Sequence, residues 1–528
     1  MLNVSLLKMV LLLWALLCCV CAASAASSAN CCLSTPIKAS CFGFHLGGNN
    51  TAFLQAAVNS CGNKSFTIDN VPGSNGLWTL EGIETGKSKY TEEGFGVLFN
   101  ASNQVVTLEK GVTLQARRGY FAGIHDSLVV VRGADNFKLV GEGSNALEMW
   151  KQDYNNASLY KHSEWRHGIT IGSSHGVEIS NLLISNTGGD GIDICCSTTD
   201  VFVSQVHSVE ANRNGMSLTG VSNLTVLDSS FKFTSGTCCM SGLDLEPEIT
   251  SEVCNDITFR NVEFSGNAMN QVTLSLYGQQ GITDNILFDN VTVANGTMAG
   301  FIIAGYSTAG PLGTLRLNNV NIFDLGDAGF YFQRNGSSGQ AIELNDVWFN
   351  NTATQVFSMF GHWPLEINGG GVTLTNVVIH DPVARPFLYG GWEKPFFASA
   401  VTGDVTVYSN STRSCSPYFN NASSTGNSVK VTCNAMGGAA APGGPAAVPP
   451  FAAPVASPQR TSKNTEPYGD PASGCMDGEA VSCLLGRPIL PPPPFHAPIM
   501  HTHTLSAPAA GCPLSPSHCT PIPSPPPR

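Results

Sequence analysis

Basic charge, long apolar runs and zinc-type cysteine pairs are all scarce in this chain. Its 528 residues hold 26 Lys and Arg against 38 Asp and Glu, a formal net charge of -12. That balance gives no electrostatic footprint for nucleic acid or an anionic membrane, and neither is expected as a partner. Beyond the first segment, no stretch stays apolar for the roughly 18 residues that a membrane span needs. The cysteines never repeat the Cys-x2-Cys spacing of a zinc site, so no metal held by thiolates is expected. A helical period is missing from the long middle of the chain as well, and in its place runs an alternation of apolar and polar residues.

Residues 1–26 combine Lys8, an apolar run through Leu17 and small residues at Ala22 to Ala26, which reads as a secretory signal peptide. The expected location is therefore secreted, in the extracellular space or the cell wall. Eleven Asn-X-Ser/Thr sequons follow, at Asn49, Asn63, Asn100, Asn156, Asn223, Asn290, Asn295, Asn335, Asn350, Asn410 and Asn421, and imply a glycosylated surface. Of 18 cysteines, Cys18, Cys19 and Cys21 leave with the signal, and the fifteen that remain forbid complete intramolecular pairing. In an oxidising compartment disulfides are the default, and the expected pairs are Cys415 with Cys433 and Cys41 with Cys61.

Between Val177 and Val377 a strand-like segment returns eight times at intervals of 23 to 33 residues, opening at Val177, Val201, Leu224, Ile257, Ile286, Leu315, Ile342 and Val372. Ile286-Leu287-Phe288-Asp289-Asn290-Val291 and Leu315-Arg316-Leu317-Asn318-Asn319-Val320 show the pattern: one apolar face, then Asn or Asp, then Val. A unit this short cannot bury its apolar face alone, so neighbours must stack into one continuous core. The fold class is therefore all-β, a parallel β-helix. Residues 30–133, with an amphipathic stretch at Thr51 to Cys61 and strands near Phe95 to Phe99 and Gln104 to Leu108, read as an N-terminal cap and first irregular rungs. Residues 134–433 read as the helix proper. Residues 437–528, rich in Gly, Ala, Pro and Ser, read as a disordered tail whose deletion leaves folding intact.

A second strand follows in each turn: His167-Gly168-Ile169-Thr170-Ile171, Asp190-Gly191-Ile192-Asp193-Ile194, Asn214-Gly215-Met216-Ser217-Leu218, Ser241-Gly242-Leu243-Asp244-Leu245 and Asn270-Gln271-Val272-Thr273-Leu274. Strand side chains alternate between faces. With Ile192, Met216, Leu243 and Val272 inside, Thr170, Asp193, Ser217, Asp244 and Thr273 form one outward column, and Gly172, Cys195, Thr219, Glu246 and Ser275 the next. Charge concentrates here. Asp190, Asp193, Arg213, Asp244 and Glu246 come from three consecutive rungs, Glu164, Arg166 and His167 from the rung before, and after Thr273 the column passes to Ile302 and Tyr331, where the carboxylates are expected to stop. The Asn/Asp column of Asn181, Asn261, Asn290, Asn319, Asp346 and Asn376 reads instead as a structural corner.

Rungs lie about 4.8 Å apart, so Asp193 and Asp244, two rungs apart, sit about 9 to 10 Å from each other at their backbones. An inverting glycosidase needs roughly 6.5 to 9.5 Å between its acid and its base. Asp193 and Asp244 are thus the expected catalytic pair, with Asp190 as a substitute for Asp193 or as a turn residue, and His167 as a general acid or base or a turn residue. Arg213 pairs with the stacked acids, orients a sugar acid, or abstracts a proton in an elimination assisted by calcium on Asp193, Asp244 and Glu246. No other cofactor is expected. Glu164, Trp165, Arg166, Asn214 and Glu246 are the expected substrate contacts, and Trp150 either stacks on a sugar or covers the core.

In order, Ser163-Glu164-Trp165-Arg166-His167, Gly188-Gly189-Asp190-Gly191-Ile192, Arg213-Asn214-Gly215-Met216-Ser217 and Gly242-Leu243-Asp244-Leu245-Glu246-Pro247 resemble the hallmarks of a secreted β-helix group in the pectin lyase-like superfamily. The resemblance covers about residues 30–433 and implies the fold, in the form of a right-handed parallel β-helix, and a site on this face. The chain departs from polygalacturonases, which carry Asn-Thr-Asp, Gly-Asp-Asp, Gly-His-Gly and Arg-Ile-Lys, where this sequence has Asn186-Thr187-Gly188 and Gly189-Asp190-Gly191 and lacks the other two. Three readings follow: a glycoside hydrolase acting on an extracellular polysaccharide, a calcium-assisted polysaccharide lyase, and a noncatalytic glycan-binding wall glycoprotein. The chain is expected to act as a monomer.

Overall fold

The computed structural model describes residues 31–436 apart from 34, 85–93, 238, 248–250, 276–281, 306–312, 335–340, 356–361, 391–398 and 420–425. The signal segment, the tail and the sequons Asn335 and Asn421 lie outside the described residues. Two long sheets, of 17 and 13 strands, wind together into a right-handed parallel β-helix. No helix among the described residues is long and apolar enough to cross a membrane.

All eight repeat segments are strands of the 17-stranded sheet, and their opening residues stand opposite one another. Val177 pairs with Val201, then in turn Leu224, Ile257, Ile286, Leu315, Ile342 and Val372. Every one of them is at most 2% exposed. In the 13-stranded sheet Ile192, Met216, Leu243 and Val272 are in register and fully buried. The core between the sheets is one continuous cluster in which like side chains stack from rung to rung, as do Phe259 and Phe288 at 5.0 Å between nearly parallel rings.

The Asn/Asp corner follows from backbone geometry. Asn181, Asn261, Asn290, Asn319, Asp346 and Asn376 all have φ between 51° and 58°, a left-handed conformation that Asn and Asp tolerate best among residues with a side chain. Their side chains form a ladder: Asn290 donates to Asn261 at 2.8 Å, Asn319 to Asn290 at 3.1 Å and Asn376 to Asp346 at 2.6 Å. Two further left-handed columns bend the same strands, through Asp200, Asn223, Asp256 and Asn285, and through Asn186, Glu210, Phe233, Asn295, Asp324 and Asn351.

At the N-terminus the helix Thr51–Cys61 buries Leu54, Ala57, Val58 and Cys61. Parallel pairing starts before residue 134, since Phe66–Ile68 pairs with Val105–Leu108 and Leu77–Leu80 with Thr113–Ala116. Gly94–Phe99 joins the smaller sheet. Cys415 and Cys433 are bonded as expected. Cys41 is bonded to Cys31 and not to Cys61. The physical reason is the helix, which turns Cys61 into the core against Cys32, where burial and that second thiol push its own thiol up to about 12.

Candidate functional site

The outward column lies where the alternation placed it. Thr170, Asp193, Ser217, Asp244 and Thr273 stand opposite one another across four strand pairs. The column continues through Ile302, Tyr331, Glu366 and Tyr389. A carboxylate therefore returns at Glu366, which corrects the expectation that they stop after Thr273. Glu366 escaped the sequence because the rung before its strand is longer than the others, which hides the alignment.

Arg213 is the centre of the cluster. Its guanidinium lies 3.3 Å from Asp190, 3.7 Å from Glu164, 3.9 Å from Glu246 and 4.0 Å from Asp244. Burial opposes its charge, but Asp190, Cys239, Asp244 and Glu246 around it hold it protonated. Asp190 is 1% exposed and accepts the Asn214 backbone N–H at 2.9 Å. Its own N–H donates to His167 Nδ1 at 3.0 Å. Burial, with Arg213 and His125 nearby, lowers His167 to about 4 despite Asp190. His167 is thus neutral at pH 7, with Nδ1 occupied as an acceptor and the proton on Nε2. In that neutral form its 3.4 Å contact with Asp190 is not an ion pair.

Asp244 is 1% exposed and accepts from Asn214 Nδ2 at 3.3 Å, with the Cys239 thiol against it. Burial first, then Asp190, raise its carboxyl from 3.8 to about 6, while Arg213, Cys239 and Asn214 pull the other way. Asp193, two strands along, is partly exposed, as are Glu164 and Glu246. The five acids thus divide into two buried ones beside Arg213 and three that reach solvent.

Two expected substrate contacts are not available to a ligand. Arg166 is fully buried, donates to the carbonyls of Phe121, Ala122 and Lys161, and lies over the rings of Tyr154 and Tyr160. Asn214 is fully buried, bonded to Ser217, Asp244 and the Ser241 backbone. Both hold the site's framework. Trp150 packs on the core and donates to Ala116 O at 2.6 Å, so it covers the coil. Trp165 by contrast is 41% exposed and stacks on His125 at 4.7 Å. His125 and Cys239 were missed in the sequence, because each enters from a loop between strands and neither belongs to the alternating column.

The Arg213 guanidinium already stands among Asp190, Asp244 and Glu246, and no group of three His, Cys, Asp or Glu among the described residues is disposed to hold a metal ion.

No family model matches this chain, and no curated protein matches it. Solved structures do. The tailspike protein of E. coli bacteriophage HK620, a double mutant in complex with a pentasaccharide, is 11% identical with a TM-score of 0.50, covering 74% of this chain and 77% of that one. The mannuronan C-5 epimerase A-module of Azotobacter vinelandii is 13% identical with a TM-score of 0.45, covering 76% and 97%. The family 28 exopolygalacturonase of Yersinia enterocolitica is 12% identical with a TM-score of 0.44, covering 75% and 77%. At such identities the likeness is one of fold, and the fold is that of the right-handed parallel β-helix proteins.

Proposed function

We propose that this is a secreted, carbohydrate-active β-helix protein, a glycoside hydrolase that acts on an extracellular polysaccharide through the outer face of the 13-stranded sheet. One observation carries the reading: Asp193 and Asp244 share an outward column two strands apart, in different environments. Asp244, raised to about 6, keeps its proton in mildly acid solution and serves as general acid. Asp193, at the surface, is the carboxylate that takes a proton from water. Their separation, about 9 to 10 Å at the backbone, leaves room for that water and favours inversion.

The test is a polysaccharide library read by new reducing ends. Asp193→Asn and Asp244→Asn are each expected to lower turnover by about 10² to 10⁴-fold. Near-wild-type turnover in both variants sinks the assignment. Chelator-sensitive cleavage with an ultraviolet-absorbing unsaturated product replaces hydrolysis by elimination.

The burial of Asp244 favours one second reading, a face that binds glycan without cleaving it. Its carboxyl is 1% exposed beneath the Cys239 thiol, and its partners Arg213 and Asn214 suffice to explain it as part of the framework. Binding on the library with no new reducing ends selects that reading.

A further inference from the structure

Trp165 is the most exposed tryptophan among the described residues, at 41%. Its indole, apolar in body and polar at the N–H, is the kind of side chain that meets ligands from the surface. One face of the indole is taken by the His125 ring, 4.7 Å away and tilted by 15°. The stack fixes the plane of the indole and leaves the exposed face to meet a ligand.

The pair is also held in place. Ser163 Oγ donates to the carbonyl of Ile124 and accepts the Trp165 backbone N–H at 3.0 Å. Arg166 donates to the carbonyls of Phe121 at 3.0 Å and Ala122 at 3.3 Å. The loop carrying His125 and the segment carrying Trp165 are therefore fastened to each other on both sides of the ring pair, which lowers the entropy lost when a ligand docks. Glu164, next in sequence, reaches Arg213 at 3.7 Å and joins the platform to the acid cluster.

Charge decides what class of ring fits. Glu164, Asp190, Asp244 and Glu246 surround a single arginine, and Asp193 stands on the adjoining strand. Even with Asp244 protonated the acids outnumber the base. Arg166, the other nearby arginine, is spent on backbone carbonyls in the interior. Arg213 is already shared among these acids, so a ligand carboxylate brought to this cluster meets like charge, which repels it.

We propose that Trp165, backed by His125, is a sugar-ring subsite that selects neutral pyranoses and rejects uronates. The proposal rests on the glycan reading of this face and adds to it the platform and the substrate class. The apolar C–H face of the ring lies on the indole, and the acceptor oxygens of Glu164 and Glu246 take up its hydroxyls.

The test uses the full chain with cellohexaose, xylohexaose, laminarihexaose, mannohexaose and hexagalacturonate, followed by saturation-transfer NMR. The same spectra show cleavage as new reducing-end signals, so binding and hydrolysis are read separately. At least one neutral hexaose is expected to bind and hexagalacturonate is not. Trp165→Ala should weaken the neutral ligand by about tenfold or more, the usual effect of truncating a central aromatic contact, with Trp165→Phe retaining most of it. His125→Ala should weaken it less, and His125→Phe should restore it, since the ring backs the indole without touching sugar. Binding without cleavage sinks the hydrolase reading and leaves the platform standing. Cleavage and affinity unchanged in Trp165→Ala, tighter binding of hexagalacturonate, or no binding by any neutral hexaose would overturn the proposal.

Discussion

Two stacks of polar residues run along this coil at the same rung spacing, and they are built on opposite principles. In the corner ladder the amides donate hydrogen bonds to the neighbouring rung, as Asn319 does to Asn290 and Asn376 to Asp346, and these bonds need no charge brought from elsewhere. Around the outward column of the smaller sheet the acids repel one another, Asp190 and Asp244 are nearly sealed from water, and one arginine compensates them. The ladder is redundant and locally satisfied. The acidic column depends on a single side chain, and arrangements of that kind are where proton chemistry becomes available near neutral pH.

Removing that side chain is the sharpest way to break the contrast. Arg213→Ala leaves Asp190, 1% exposed, without its cation and is expected to destabilise the protein by about 3 to 5 kcal/mol in chemical denaturation. A loss no larger than that of a ladder substitution would show that the two stacks do not differ in kind.

The next effect is on pH. The Asp244 carboxyl is raised from 3.8 to about 6 in the folded protein. Between those values the unfolded chain has released the proton and the folded chain keeps it, so stability falls as pH rises through the window and levels off above it. At about 1.4 kcal/mol for each unit, the fall is of the order of 2 to 3 kcal/mol. Glu366, raised from 4.5 to about 7 by burial, adds a fall of the same sign between those values. Thermal melts from pH 4 to 8 should therefore show the protein most stable at the acid end of that range as far as these two groups decide it. Asp244→Asn and Glu366→Gln should each flatten the profile, and an unchanged slope in both would contradict the shifts.

Within the ladder the effects are smaller. Asn319 has φ 54°, so Asn319→Ala loses its hydrogen bond to Asn290 and pays for a left-handed backbone, about 1 to 2 kcal/mol together. Asn319→Gly should recover the backbone share, and equal losses for Ala and Gly would show that conformation plays no part. Asp346→Asn keeps an oxygen to accept from Asn376 and is expected to stay within about 0.5 kcal/mol of wild type in the same melts.

The repeat was legible because its cause is local. Alternation sets the strand, Asn at a fixed offset sets the bend, and a face that one unit cannot bury forces stacking, so the opening residues from Val177 to Val372 could be aligned before any coordinates. The outward column from Thr170 to Thr273 followed from the same period. The left-handed column through Glu210 and Phe233 stayed hidden, because those two residues adopt that conformation without the composition that advertises it. The Cys41–Cys61 expectation failed for a related reason: spacing carries no record of which way a helix turns a thiol.

What the sequence determined by itself is the coil and which residues share a face, since both depend on periods of a few residues and on the need to cover apolar surface. What only the tertiary structure decided is the state of those residues. It buried Arg166 and Asn214, made His167 an acceptor at Nδ1, raised the Asp244 carboxyl by sealing it from water, and brought His125 under Trp165 from a distant loop. Solvation and charge are sums over neighbours from several rungs and loops, and a pattern read along one strand contains no such sum.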